Sequence, residues 1–153
     1  MRWIHRYPID GRIFRRPCRR TGGSVLVDTS GSMSLDAGGV DRILRDAPSA
    51  TLVAMYSGRG SEGELRIVAR DGRRASTEDL EPFGKSNVVD MPALESLARQ
   101  RTPRIWISDG HVTGIGDRSS RTITRRCRTL CRRARIRRVR TVEEAAQRLE
   151  NGP

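Results

Sequence analysis

The sequence predicts an α/β fold: a Rossmann-like, doubly wound, mostly parallel sheet with one antiparallel edge strand and helices on both faces. Three observations lead there. Short apolar runs at 24–27 (SVLV), 51–56 (TLVAMY) and 104–108 (RIWIS) have the continuous hydrophobicity of strands buried on both faces. Segments with helical spacing of apolar residues alternate with those runs, as crossovers between parallel strands require. One further run, 64–70 (ELRIVAR), alternates in polarity and follows a glycine-rich loop, which marks an antiparallel pair at a sheet edge.

In chain order, residues 1–22 read as a basic N-terminal arm. Trp3, Ile4, Tyr7, Ile13 and Phe14 sit among arginines, Pro8 and Pro17 interrupt regular structure, and Asp10-Gly11 suits a hairpin turn. The domain itself spans 23–150. Its first strand, 24–27, leads into a loop at 28–36 and a short helix near 40–45 that Pro48 ends. The strands at 51–56 and 64–70 follow. After a loop at 83–89 comes a helix at 90–99, with Asp90 as its cap, Pro92 in its first turn, and Met91, Leu94, Leu97 and Ala98 on one face. The strand at 104–108 ends in Asp109-Gly110. A basic helix at 122–133 turns Ile123, Cys127, Leu130 and Cys131 inward, and a short strand occupies 136–140. Thr141 and Glu144 open the last helix, 142–149, as a capping box. No convincing sixth strand is legible.

Composition narrows the function classes. At 153 residues the chain is one domain long. Hydrophobic residues make up 35% and aromatic residues 4%, so an aliphatic core of modest size is expected. No run approaches the roughly 20 apolar residues of a membrane span. The N-terminus lacks the apolar stretch of a signal peptide. Cys18, Cys127 and Cys131 are an odd, unevenly spaced set, which argues against a disulfide framework and for a reducing compartment, the cytoplasm. The net charge is +12, and Lys85 is the one lysine among 30 basic residues. Arginine is concentrated at 12–20 and 118–140. Such blocks suit the phosphates of nucleic acid, and they equally suit a compositional habit of using arginine wherever a surface needs a cation.

The stretch at 25–34 (VLVDTSGSMS) carries the most chemistry. Asp28, Ser30 and Ser32 place a carboxylate and two hydroxyls on one tight loop just after an apolar strand. Oxygen donors so arranged can converge on a hard divalent cation such as magnesium. Ligands of doubly wound sheets bind outside the carboxyl ends of the strands, where strand order reverses. Asp28 and Asp109 both follow apolar strands. Were those strands neighbours at the reversal, the two carboxylates would face each other, and a loop bearing Ser86 could add a third oxygen source.

Those residues carry a resemblance. DTSGS resembles the D-x-S-x-S signature of the von Willebrand factor A (vWA) domain and its metal-ion-dependent adhesion site (MIDAS). GKSN at 84–87 is similar to that family's G-x-T-[ND] loop, with Ser86 at the threonine position. WISDG at 106–110 is similar to its strand followed by Asp-Gly, with Asp109 as the second acidic residue. The three motifs stand in family order within 23–150. The resemblance implies a compact vWA fold. It also implies a site in which Ser30 and Ser32 bind Mg2+ (or Mn2+ or Ca2+) directly and Ser86 binds directly or through water. Asp28 and Asp109 would act mostly through bridging waters, leaving an open position for an Asp or Glu of a partner protein. The function so implied is a non-enzymatic protein-binding module, with an AAA-type ATPase or a larger assembly as the associated class of partner. Serine at 86 keeps the hydroxyl but lacks the threonine's rotamer restraint, so weaker binding is expected.

Other chemistries find little footing. Gly58, Gly60 and Gly63 fit G-x-G-x-x-G, but the dinucleotide fingerprint needs a helix next, where ELRIVAR stands. Cys127 and Cys131, one helical turn apart, lack the further ligands of a zinc site. No nucleophile elbow or P-loop occurs. Asp28 lacks the second aspartate two positions on that an aspartate-dependent phosphatase uses, because Ser30 stands there. His111 reads as an exposed loop residue and Lys85 as a solvated cation. The alternative to cation-mediated adhesion is a nucleic-acid-associated protein, gripping phosphates with the arm and with 125–140 while the fold serves as scaffold.

Overall fold

The computed structural model describes residues 22–29, 37–57, 63–70, 73–75, 90–114 and 119–150. The predicted arm up to residue 21 lies outside the described residues, as do Ser30, Ser32, Lys85 and Ser86. The described elements are β1 (Gly22–Asp28), α1 (Ala37–Asp46), β2 (Ser49–Ser57), β3 (Gly63–Arg70), β4 (Arg73–Arg74), α2 (Asp90–Ala98), β5 (Arg104–Ile107), α3 (Arg121–Arg133), β6 (Ile136–Val139) and α4 (Val142–Glu150).

The strands form one sheet in the order β4-β3-β2-β1-β5-β6. β1 pairs in parallel with β2 on one side and β5 on the other, and β5 pairs in parallel with β6. β3 runs antiparallel to β2, and β4 antiparallel to β3. The chain therefore builds outward from β1 to one edge, then returns to the far side of β1 and builds to the other. This is the mostly parallel, Rossmann-like α/β sheet with an antiparallel edge that the apolar runs predict. It also contains a sixth strand, β4, which at two residues is too short to leave a hydrophobic period in the sequence.

Alternation along the central strands sends side chains to opposite faces. Val25, Val27, Ile105 and Ile107 face a layer made by Val40 and Ile43 of α1 and by Ala145 and Leu149 of α4. Leu26 and Trp106 face the other layer, with Ala93, Leu94 and Leu97 of α2 and Cys127 of α3. Each fully buried aliphatic side chain contributes about 1.5–3 kcal/mol relative to exposure. The core is aliphatic, as the composition predicts. Helix α3 turns Ile123, Cys127, Leu130 and Cys131 inward, as their spacing predicts.

Helix termini follow local side-chain chemistry. The Ser120 hydroxyl accepts from the Ile123 amide at 3.2 Å and starts α3 one residue before the sequence pattern does. At α4, Thr141 Oγ1 accepts from the Glu144 amide at 3.2 Å, and Glu144 reaches back to the amide of Arg140 at 2.9 Å. α1 starts at Ala37, earlier than expected, with Gly38 and Gly39 in its first turn. Arg42 pairs with Glu143 and links α1 to α4 on the surface.

β1 and β5 meet at a backbone approach that admits no side chain. The Ser24 amide donates to the Pro103 carbonyl at 2.9 Å. Gly23 has φ 152°, and a Cβ there would lie 2.6 Å from the Pro103 oxygen and 2.9 Å from a methyl of Leu149. Gly23→Ala is expected to destabilise the protein by about 1–3 kcal/mol through overpacking. Urea denaturation checks this, and an unchanged midpoint would contradict the close approach.

Candidate functional site

Parallel pairing of β1 with β5 sets Val27 opposite Ile107. The next residues, Asp28 and Ser108, are therefore side by side at the carboxyl ends of adjacent strands, with Asp109 one step further. β2 and β5 lie on opposite sides of β1, and strand order reverses between β1 and β5. The site thus stands at the topological switch point, where open α/β sheets bind their ligands.

Asp28 is 2% exposed, and its Oδ2 accepts from the hydroxyl of Ser108 at 3.0 Å. Ser108 is fully buried, and its oxygen accepts in turn from the Gly110 amide at 3.0 Å. The Ser108 amide donates to Val139 of β6 at 3.0 Å. One buried hydroxyl thereby ties the β1 carboxylate to the turn after β5. Sequence reasoning passed over Ser108. The signal for it is slight: a small polar residue ending an otherwise apolar strand next to Asp-Gly.

Asp109 is half-buried, and its Oδ1 accepts from the His111 amide at 2.8 Å. This closes an Asx-type turn that fixes the carboxylate's direction. Gly110 takes φ 89°, and Arg138 crosses directly over it to donate to the Asp109 carbonyl at 2.6 Å. A Cβ at 110 would stand 1.6 Å from the Arg138 guanidinium nitrogen, so the Asp-Gly pair answers both a turn and a crossing. His111 is exposed, as expected of a loop residue.

Asp90 requires a correction. It was expected as a simple cap for the helix at 90–99. It is instead the first residue of α2, 2% exposed, and its Oδ2 accepts from the amide of Thr113 at 2.7 Å. The Asp90 amide donates back to the Thr113 carbonyl at 3.3 Å, so the pair clamps α2 to the segment after β5. Its Oδ1 is buried with no hydrogen-bond partner among the described residues. Burial above all, helped by the negative charges of Asp28 and Asp109 and opposed by the Thr113 hydrogen bond, raises this carboxyl from 3.8 to about 7. Helix-start statistics explain an aspartate at 90 well enough, and this is why its convergence with two distant aspartates was missed.

The negative charges of Asp28 and Asp109 both bear on Asp90, so the start of α2 shares one electrostatic neighbourhood with the carboxyl ends of β1 and β5. No group of three or more His, Cys, Asp or Glu among the described residues is arranged to hold a metal ion. The hydroxyl donors Ser30, Ser32 and Ser86 lie outside the described residues. The oxygens of Asp28 and Asp109 are of the hard type that magnesium takes, and the buried Oδ1 of Asp90 has no hydrogen-bond partner among the described residues. The cysteines are not part of it. Cys127 and Cys131 are free thiols packed under α3, and burial pushes Cys127 up to about 11, so both stay protonated and apolar in behaviour.

No family model, curated protein or solved structure matches this chain.

The raised Asp90 carboxyl has a pH signature. Between about 4 and 7 the folded protein keeps a proton that the unfolded chain has lost, so stability falls as pH rises across that window. With chelator present, Asp90→Asn is expected to flatten the slope and to stabilise the protein by at least about 1 kcal/mol near neutral-to-alkaline pH. Thermal melts across the pH range check this. An Asp90→Asn slope equal to that of the parent would contradict it.

Proposed function

We propose that this protein is a non-enzymatic binding module that grips an acidic side chain of a partner protein through a divalent cation. Asp28, Ser30, Ser32, Ser86 and Asp109 hold the ion, Mg2+ or one of its relatives Mn2+ and Ca2+. The observation that carries this reading is that Asp28 ends β1 and Asp109 lies just past the end of β5, adjacent parallel strands at the switch point of the sheet. The oxygen-rich DTSGS turn leaves the same strand end as Asp28. The resemblance to the vWA domain and its MIDAS, drawn from three ordered motifs, adds the roles of the serines.

The division of labour follows from charge. Serine hydroxyls bind without neutralising the ion, and carboxylates held back by hydrogen bonds balance its charge from slightly further away. An ion so held keeps its attraction for an outside carboxylate. Ser108 serves the site by fixing the Asp28 carboxylate, as outer partners of metal ligands do. The cation also offsets the charges of Asp28 and Asp109 that bear on Asp90. The partner is a protein offering an Asp or Glu, of the kind found in an AAA-type ATPase or a larger assembly. The protein works in the cytoplasm. Free thiols at Cys127 and Cys131 support that placement, as does the finding that no helix among the described residues is long and apolar enough to cross a membrane.

Calorimetric titration with Mg2+, and Mn2+ binding followed by electron paramagnetic resonance, test the reading. The unaltered protein is expected to bind one ion. Asp28→Asn and Ser30→Ala are each expected to weaken that binding by about 10–100-fold with the circular dichroism spectrum unchanged. Equal affinity in the parent and both variants, or no uptake by the parent, would contradict it.

A further inference from the structure

Helix α3 carries Arg121, Arg125, Arg128 and Arg132 at successive steps of 4, 3 and 4 residues, the spacing of a single helical face. All four are exposed, and none has an ion-pair partner among the described residues. They line an open groove of about 1070 Å³ whose opposite wall begins at Gly110 and His111, next to Asp109. A second hollow of about 370 Å³ shares Gly110, Val112, Arg128 and Arg132 with it and adds Arg138. The two make one channel that leaves the carboxyl end of β5 and follows α3, with five guanidinium groups along it.

We propose that this channel docks an extended, acidic segment of a partner protein, with Asp or Glu at alternate positions. The proposal deepens the reading above, because it gives the charge pattern of the chain flanking the carboxylate that the cation would take. The spacing suits it. Steps of three or four helical residues advance about 4.5–6 Å. An extended peptide repeats its side chains on one face about every 6.6–6.8 Å. Long arginine side chains absorb that difference. The groove also offers Ser119, Ser120 and Thr124, hydroxyls suited to the backbone of such a segment.

Nucleic acid fits less well. Proteins enter a duplex with a convex helix or ribbon, whereas these arginines line a concavity. Single strands are held by exposed aromatic rings on which bases stack. Among the described residues no exposed Phe, Tyr or Trp lines the groove, and Trp106 beside it is 3% exposed.

Fluorescence anisotropy with a labelled twelve-residue peptide of alternating Glu and Ser tests the proposal on the full chain. The double variant Arg125→Glu/Arg132→Glu is compared with the charge-matched Arg99→Glu/Arg101→Glu, whose arginines are exposed but lie outside the groove. The first is expected to lose at least about tenfold in affinity and the second less than about threefold. Arg125→Gln/Arg132→Gln should lose in the same direction, which guards against a misfolded charge reversal. The contrast should persist with chelator and in Asp28→Asn, because it rests on arginine and not on the ion. Equal losses in the two charge-matched variants would reveal diffuse attraction to a +12 protein and overturn the proposal. So would an RNA strand of equal charge that displaces the peptide through the same arginines. Peptide binding that chelator abolishes and arginine reversal spares would sink this proposal and leave the cation reading standing. Arginine-dependent binding without any ion uptake would do the opposite.

Discussion

The parallel pairing of β1 with β5 is the constraint on which the rest of this molecule depends. It puts the ends of two strands distant in sequence next to each other, and with them Asp28, Ser108 and Asp109. At the start of this pairing Gly23 lets the Pro103 carbonyl come close, and both strands are apolar enough to be covered on each face. The helices α1 and α4 cover one face, and α2 and α3 the other. Without either layer the strands could not be buried, and no shared end would exist.

Placing carboxylates together has a cost that the local structure manages. Asp28 is held by a buried hydroxyl, Asp109 by the amide of its own turn, and Asp90 by the Thr113 amide. Asp90 is the one whose carboxyl is pushed toward neutrality, chiefly by burial and further by the charges of Asp28 and Asp109. Arginine is abundant nearby, yet Arg138 meets Asp109 through its carbonyl oxygen. The stripe on α3 faces an open groove instead. That groove begins at Gly110 and His111, next to Asp109, so an ion at the strand ends and an acidic chain along α3 would lie side by side.

Much of the fold was legible because the central strands are buried on both faces and write themselves as unbroken apolar runs, such as SVLV and RIWI. The α4 capping box and the inward face of α3 were legible for the same reason: each depends on residues close in sequence. What depends on distant partners was not. Arg73–Arg74 joins the sheet only because β3 offers an edge. Asp90 looks like any helix-starting aspartate until Thr113 is brought across to it. Ser108 has no period or motif of its own. Of the candidate site, the strands that carry Asp28 and lead to Asp109 are neighbours, as the switch-point argument requires, whereas Ser30, Ser32 and Ser86 lie outside the described residues.

The most direct test of the account is anomalous diffraction from crystals grown with Mn2+. The account predicts one strong anomalous peak at the carboxyl ends of β1 and β5, with the hydroxyls of Ser30 and Ser32 bound to it and Asp28 and Asp109 joined to it directly or by one water. An ordered Asp28 turn with no peak beside it, or Ser86 and Asp109 too far from that turn for even a bridging water, would contradict it.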